Sequence, residues 1–403
     1  MKILFLDQSS QLGGAELCLL DLAQYYRKSC LVCTFSAGPF PQRLIQENIA
    51  VEVLAQKSLQ FQKQSGIAQA AKSLGQLWPL IWQVSRLSAQ YDCIYANTQK
   101  ALVVGAIASL LSRKPLVYHL HDILSAEHFS ALSRRIIVTC ANQAVLVIAN
   151  SQASRSAFVS AGGRAARVQV VYNGFDLDAA PRRAKRSRSQ IRSNLGFTDQ
   201  FVVGHFSRLS SWKGQHVLLD ALKLCPPQVC AVLVGDALFG EKDYAMQLQQ
   251  QVKDLELDNR VKFLGFRSDI PELMSACDLI THTSTVSEPF GRVIVEGMLS
   301  DRPVVAAAAG GALEIIEPGQ TGWLSSPGDS AKLAEIITLV YRNPELASAI
   351  AKQAQAVAKE RFNLSVINAQ IDDLLKVSIS HQPPSSLHHN NNGSACEDES
   401  RRQ

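Results

Sequence analysis

The stretch "FVVGHFSRLSSWKGQHVLLDALKLCPPQVCAVLVGD" (residues 201–236) decides the fold. FVVGHFS (201–207) and CAVLVGD (230–236) are short, near-continuous apolar runs rich in valine. Runs of that kind read as strands buried on both faces. The segment 213–224 between them has the length and pattern of a helix. A strand–helix–strand order brings the two strands parallel, with the helix crossing over the sheet.

The unit continues in both directions. Downstream, helix 243–256, VKFLGF (261–266), helix 269–276, LITHTS (279–284), helix 290–299, PVVAAA (303–308) and helices 312–316 and 330–341 follow in turn. Upstream, KILFLD (2–7), CLVCTF (30–35), VEVL (51–54), CIYAN (93–97), LVYHLH (116–121), AVLVIANS (144–151) and VQVVYN (168–173) read as strands. Helical stretches such as 15–26, 64–88 and 100–112 lie between most of them. The prediction is an α/β protein of two doubly wound parallel-sheet domains facing a cleft, over 1–177 and 201–360, joined by a basic linker at 178–200. Two helices over 344–378 follow, and the polar, Pro/Ser/Asn-rich tail 381–403 reads as disordered.

At 403 residues, 47% hydrophobic and 19% charged, the chain has material for two cores. No apolar run approaches the roughly 18 residues of a membrane-spanning helix. The first residues, MKILFLDQ, enter a strand directly, which argues against a secretory leader. The nine cysteines are scattered in apolar segments, and the Cys30–Cys33 CxxC lacks a second pair at zinc spacing. They read as small buried hydrophobes in a reducing cytoplasm.

Charge is uneven. Residues 1–177 carry 16 basic against 9 acidic side chains, residues 193–380 carry 16 against 22, and Arg182, Arg183, Lys185, Arg186, Arg188 and Arg192 cluster between them. A basic first half suits an anionic partner, either a phosphorylated acceptor or a membrane surface; the other reading is ordinary solvated surface. In helix 64–88, Trp78 and Trp82 share a face at i and i+4. Either that helix packs on the sheet or it docks on a bilayer, peripherally at its inner face.

Ligands of open parallel sheets sit beyond the carboxyl ends of the strands, so those loops are where chemistry is sought. In DQSSQLGGAE, Gly13 and Gly14 either make a plain turn or let a backbone approach an anion at a helix start. In YHLHDIL, His119 and His121 are read as pointing to opposite faces, with His121 placed at the strand end nearer the cleft. In FSRLSSWKGQ, Arg208 and Lys213 stand before a helix, an arrangement that grips a phosphate or makes a surface pair. In SEPFGRVIVEGM (287–298), Pro289 predicts a helix that starts beside it, leaving Glu288 in the loop and Glu296 about two turns inside. Eight residues of helix span about 12 Å, too far for the carboxylate pair of a glycoside hydrolase at roughly 5–10 Å. The spacing suits a ligand with polyols at both ends and a diphosphate between.

Together these residues resemble the retaining glycosyltransferases of family 4, which have the two-Rossmann GT-B fold. EPFGRVIVEG resembles that family's glutamate–seven–glutamate signature and SRLSSWKG its phosphate-binding loop. GGAE, VYNGFD (171–176), FLGF (263–266), AGGALEIIEPGQTGWL (309–324) and RFNL (361–364) fall in the family's order. Ser207 stands where the family has glycine, and Gly297 where it has alanine.

The resemblance implies a nucleoside-diphosphate sugar as donor; no Asp-x-Asp motif lies in the four cleft loops, so no metal is expected, and neither is a cofactor or a nucleic-acid partner. It implies that Arg208 and Lys213 neutralise the leaving diphosphate, and that Glu296 binds the ribose diol. Glu288, with the backbone of Phe290 and Gly291, would hold the transferred sugar, and His121 would touch it. Gly13 and Gly14 would lie against the diphosphate, and Gly265, Phe266 and Arg267 against the base. A C-terminal helix at 361–380 would cross back to the first domain. The acceptor stays open: a saccharide, a lipid-linked sugar or a small molecule. A nucleotide-sugar 2-epimerase of the same fold and a non-catalytic nucleotide-sugar sensor are the alternatives.

Overall fold

The computed structural model describes residues 1–54, 67–177, 186–237 and 240–380. The tail from 381, the start of the helix expected from 64, and Arg182, Arg183 and Lys185 of the basic linker lie outside the described residues.

The first domain holds strands β1 (Ile3–Asp7), β2 (Cys30–Thr34), β3 (Val51–Val53), β4 (Cys93–Ala96), β5 (Leu116–Leu120), β6 (Leu146–Ala149) and β7 (Val168–Val170). They form one sheet in the order β3-β2-β1-β4-β5-β6-β7, and every pairing is parallel. Helices α1 (Gly14–Tyr25) and α2 (Pro39–Gln46) cover one face. Helices α3 (Ile67–Ser88), α4 (Gln99–Ser112), α5 (Ala131–Ala141) and α6 (Gln152–Ser160) cover the other. Burial on both sides explains the continuous apolar strands: β1, β4, β5 and β6 are buried at every residue.

Helix α3 packs through Leu77, Leu80, Ile81 and Val84 and leaves Trp78 and Trp82 outside, more than half exposed. Packing on the sheet is thus real, but it uses the face away from the tryptophans.

The second domain begins with α7 (Arg188–Asn194), inside what sequence reads as linker. Ser187 and Gln190 close a capping box at its start. Its arginines are spent internally. Arg186 pairs with Asp269 and Glu272, while Arg188 and Arg192 share Asp278. These three are therefore not held out for an external anion; acidic partners far along the chain take them up.

Strands β8 (Phe201–Phe206), β9 (Val229–Val234), β10 (Val261–Gly265), β11 (Leu279–His282), β12 (Val304–Ala307) and β13 (Trp323–Ser325) form a parallel sheet in the order β10-β9-β8-β11-β12-β13. Strand β13 is three residues long and went unread in the sequence. Helices α8 (Gln215–Leu224), α9 (Lys242–Asp254), α10 (Ile270–Ala276), α11 (Arg292–Leu299), α12 (Ala312–Ile315), α13 (Ser330–Arg342) and α14 (Pro344–Arg361) flank it. Gly297 fits where α11 presses on the sheet: a Cβ there would meet Val304 at 3.0 Å and Ile280 at 3.2 Å.

Helix α15 (Leu364–Ser380) returns to the first domain. Its Ile367, Ile371 and Leu375 join the core under α1 and α2, and Tyr26 donates a 2.5 Å hydrogen bond to Asp372. Among the described residues no helix is long and apolar enough to cross a membrane. If α15 is an integral wall of the first domain, Leu375→Ala, at a fully buried site, costs about 2–5 kcal/mol. A urea denaturation curve reads this; a loss below about 0.5 kcal/mol would mean that α15 rests loosely on the surface.

Candidate functional site

Both sheets reverse strand order at one place, between β1 and β4 in the first and between β8 and β11 in the second. Helices on either side of such a point diverge and leave a crevice at the strand ends. The loops that carry the charged residues open there.

In the second domain the chain leaves β8 through Ser207 and Arg208 and makes a single 3-10 turn, Ser211–Lys213. Helix α8 then begins at Gln215, two residues later than sequence suggests. Gly214 caps it with φ of 70°. A Cβ there would strike the Thr283 carbonyl oxygen at 1.9 Å, so the position demands glycine on two counts. The Thr283 hydroxyl donates to the carbonyls of Gly214 and Lys213, and the Thr285 N–H donates to that of Trp212 at 2.8 Å. The loop after β8 is therefore tied to the loop after β11, which leads directly to Glu288.

The result is a compact charged cluster. One oxygen of the buried Glu288 carboxylate meets the Lys213 ammonium, and the other meets Nε2 of His282. Lys213 also lies over the Trp212 ring, 4.2 Å from its centre. Burial, then the neighbouring Arg208, pushes the Lys213 pKa below the usual lysine value. The Glu288 carboxylate pulls in the opposite direction. Arg208 is exposed at the cleft wall, within electrostatic reach of Glu241 and Glu16. Burial drives His282 down to about 3 and His205 to about 4, so both imidazoles are neutral at physiological pH. His282 thus donates its Nε2 proton to Glu288 and leaves a buried, unpartnered Nδ1.

The helix after Glu288 begins at Arg292, with Gly291 as its cap at φ 94°. Pro289 does not start it: the left-handed turn at Gly291 resets the chain direction first. Glu296 consequently lies little more than one turn inside, not two, and faces the Arg292 Nε at 3.5 Å. The Phe290 side chain is buried among Tyr172, Phe175 and Phe362, which leaves its backbone for the cleft. Gly310 and Gly311 press on this turn so closely that a Cβ would meet the backbone of Glu288 or Phe290 within 2.6 Å.

Across the cleft, Asp7 ends β1 and Asn97 follows β4. The Asn97 amide donates to Asp7 at 2.7 Å and accepts from His121 Nε2 at 2.9 Å. His119 and His121 do not diverge, because residues two apart in a strand line one face. Their rings lie 4.0 Å apart. His119 is buried against the Tyr95 hydroxyl at 2.8 Å, and His121 occupies the crevice end. Burial, then His119 and Arg292, holds His121 well below its usual pKa. Gly13 caps α1, and a Cβ on Gly14 would touch the Arg292 side chain at 3.4 Å, so the first domain's glycine loop meets the second domain's signature turn.

Gly265, Phe266 and Arg267 lie at the end of edge strand β10, where the Gly265 carbonyl accepts from the Gly235 N–H at 2.9 Å and Gly235 packs on the Ser207–Arg208 backbone. Phe266 is 71% exposed, and Arg267 is engaged by Asp269 at 2.6 and 2.8 Å.

Several participants escaped the sequence reading. His282 had the same signal as His121, a histidine at a strand end. Arg292 bridges the domains through the Cys18 sulfur (3.2 Å) and the Phe175 ring (4.5 Å). Glu314 accepts hydrogen bonds from the Gln152 and Ala153 amides at the start of α6 and from the Tyr172 hydroxyl. These depend on contacts between distant segments, which one-dimensional spacing does not encode.

Both halves of the chain are similar to known proteins. Residues 12–179 match the model "Glycosyltransferase Family 4" and residues 187–357 the model "Glycosyl transferases group 1". The Anabaena protein Alr3699/HepE, solved in complex with UDP-glucose, is 56% identical, with a TM-score of 0.86 over 94% of this chain and 100% of that one. Spore coat protein SA of Bacillus subtilis (strain 168) is 30% identical over 211 residues, 49% of this chain and 55% of that protein. The N-acetyl-alpha-D-glucosaminyl L-malate synthase of Bacillus anthracis is 27% identical over 208 residues, 51% and 53%. The chain spans about half the length of these curated relatives.

The crevice also carries a pH signature. Burial, then the Glu16 charge, raises the Asp7 pKa to about 7. A raised carboxyl pKa gives stability that is full below about pH 4 and drains away as pH rises through about 7. Burial raises Glu16 in the same sense. Glu16→Gln removes both the neighbouring charge and its own titration. The melting temperature of the variant relative to the native protein should therefore climb from pH 5 to pH 8; parallel melting profiles would contradict the coupling.

Proposed function

The chain belongs to the group 1 glycosyltransferases of the GT-B fold, and from that premise we propose that it transfers a sugar from a uridine diphosphate donor to an acceptor hydroxyl with retention of anomeric configuration. The acceptor belongs to polysaccharide, glycolipid or other glycoconjugate assembly. The observation that carries this reading is the cluster of Arg208, Lys213 and Glu288 at the second domain's crevice. Uridine is favoured because the 56%-identical Anabaena protein was solved with UDP-glucose.

The barrier lies in breaking the bond from the anomeric carbon to the β-phosphate oxygen, which gathers negative charge as the sugar leaves. Arg208 and Lys213 oppose that charge from a fixed position, so little reorganisation is needed during the step. The incoming diphosphate takes Lys213 over from Glu288, and the released carboxylate receives sugar hydroxyls together with the Phe290 and Gly291 backbone. Glu296, exposed enough to be reached at the cleft, takes the ribose diol. Neutral His121, held by Asn97, hydrogen-bonds to the sugar without adding a charge. Gly13 and Gly14 bring the first domain's backbone to the diphosphate. Gly265, Phe266 and Arg267 form the rim for the base. In this reading the two basic side chains, rather than a divalent cation or a cofactor, neutralise the leaving group.

Arg208→Ala and Lys213→Ala should each cut turnover by roughly two or more orders of magnitude. The variant at exposed Arg208 should melt normally, whereas Lys213→Ala, which leaves buried Glu288 without its ammonium, should melt lower. Native activity should survive a chelator. Donor-to-acceptor transfer is read by product mass, and the anomeric linkage by NMR. Near-native rates in either variant would remove the clamp from the mechanism. An epimerised donor would favour the 2-epimerase, and tight donor binding without turnover would favour the sensor.

A further inference from the structure

The outer surface of α3, α4 and α5 differs in chemistry from the rest of the first domain. These three helices pack side by side on one face of the sheet. Their solvent side presents Trp78 and Trp82 from α3, Leu110 and Leu111 from α4, and Leu132 and Ile136 from α5, all between 42% and 67% exposed. In sequence the three helices contain no aspartate or glutamate. They contain Arg86, Arg134 and Arg135, and Arg113 and Lys114 follow α4 directly. The opposite helix layer is not so: α1 carries Glu16 and Asp21, and α15 carries Asp372 and Asp373.

We propose that this face docks peripherally on an anionic lipid bilayer. Tryptophans favour the headgroup boundary, where the ring is partly dehydrated and the indole N–H stays wet. Leucine and isoleucine beside them add apolar area. Arginines around them gain from the negative surface potential. The lack of aspartate and glutamate in the three helices reduces the repulsion that a mixed-charge surface would meet there; Glu52, which accepts from Gln83 of α3 at 2.8 Å, is partly buried. A second copy of the chain is a poorer occupant, because symmetric pairing would set the arginines of one copy against the basic face of the other, with no aspartate or glutamate in the three helices to relieve them. The inference is independent of the glycosyl-transfer reading, since it involves none of the cleft residues.

Co-sedimentation with vesicles tests it, comparing pure phosphatidylcholine with vesicles that contain roughly a third phosphatidylglycerol. The full chain should pellet with the anionic vesicles at about 0.05 M salt, weaken at about 0.5 M, and ignore the neutral ones. Trp78→Ala with Trp82→Ala, and separately Arg86→Glu with Arg135→Glu, should each weaken binding by roughly tenfold or more. All four side chains are exposed, so melting temperatures should not move, and the two pairs control for each other if one does. No pelleting with anionic vesicles at low salt would overturn the proposal and leave the face to an acidic protein. Native binding by both double variants would overturn it as well. So would a native dimer that the tryptophan variant dissolves, which would assign the face to a second copy.

Discussion

Glu288 serves two partners at once, the Lys213 ammonium on one oxygen and the His282 Nε2 on the other. A carboxylate so buried is costly unless paired, and so is a lysine. Each makes the other's burial tolerable, and the carboxylate holds the Lys213 ammonium in the crevice without a ligand. The surrounding backbone holds that arrangement in place. Gly214 lets the loop after β8 fold against Thr283, and Gly310 and Gly311 press the Glu288 turn from the other side. Three loops at the carboxyl end of one sheet, after β8, β11 and β12, are thus tied to each other.

The first domain answers with neutral or proton-sharing groups. Asp7, Asn97 and His121 form a chain of hydrogen bonds whose carboxyl sits near neutrality and whose imidazole is uncharged. In the proposed reading the division has a physical sense: fixed cations would face the group that gains negative charge, and uncharged donors would face the sugar. Arg292 joins the halves, with its stem against Gly14 and its guanidinium on Cys18 and Phe175.

The fold was largely legible because strands buried at every residue, such as β1, β4, β5 and β6, cannot hide, and the less buried β3, β7 and β10 still carry short apolar runs. The three-residue β13 has too little sequence to show a period. Arg208, Lys213 and Glu288 could be read because each lies in a single strand-to-helix loop whose composition betrays it. The start of α11 was misplaced because proline outweighed Gly291, whose left-handed backbone fixes the boundary. The two histidines, expected on opposite faces, share one, as residues two apart in a strand must, and their rings lie 4.0 Å apart. The basic linker misled differently. Composition showed six cations, while the acids that consume Arg186, Arg188 and Arg192 lie some 80 to 90 residues away in sequence.

The central claim is that Glu288 and a donor diphosphate compete for Lys213. Calorimetric titration of UDP, which lacks the transferred sugar that Glu288 would hold, into the native protein and Glu288→Gln tests it most directly. Neutralising the carboxylate should tighten UDP binding while sugar transfer falls. Weaker UDP binding in the variant would contradict the account, because it would make Glu288 a support of the diphosphate site rather than its stand-in.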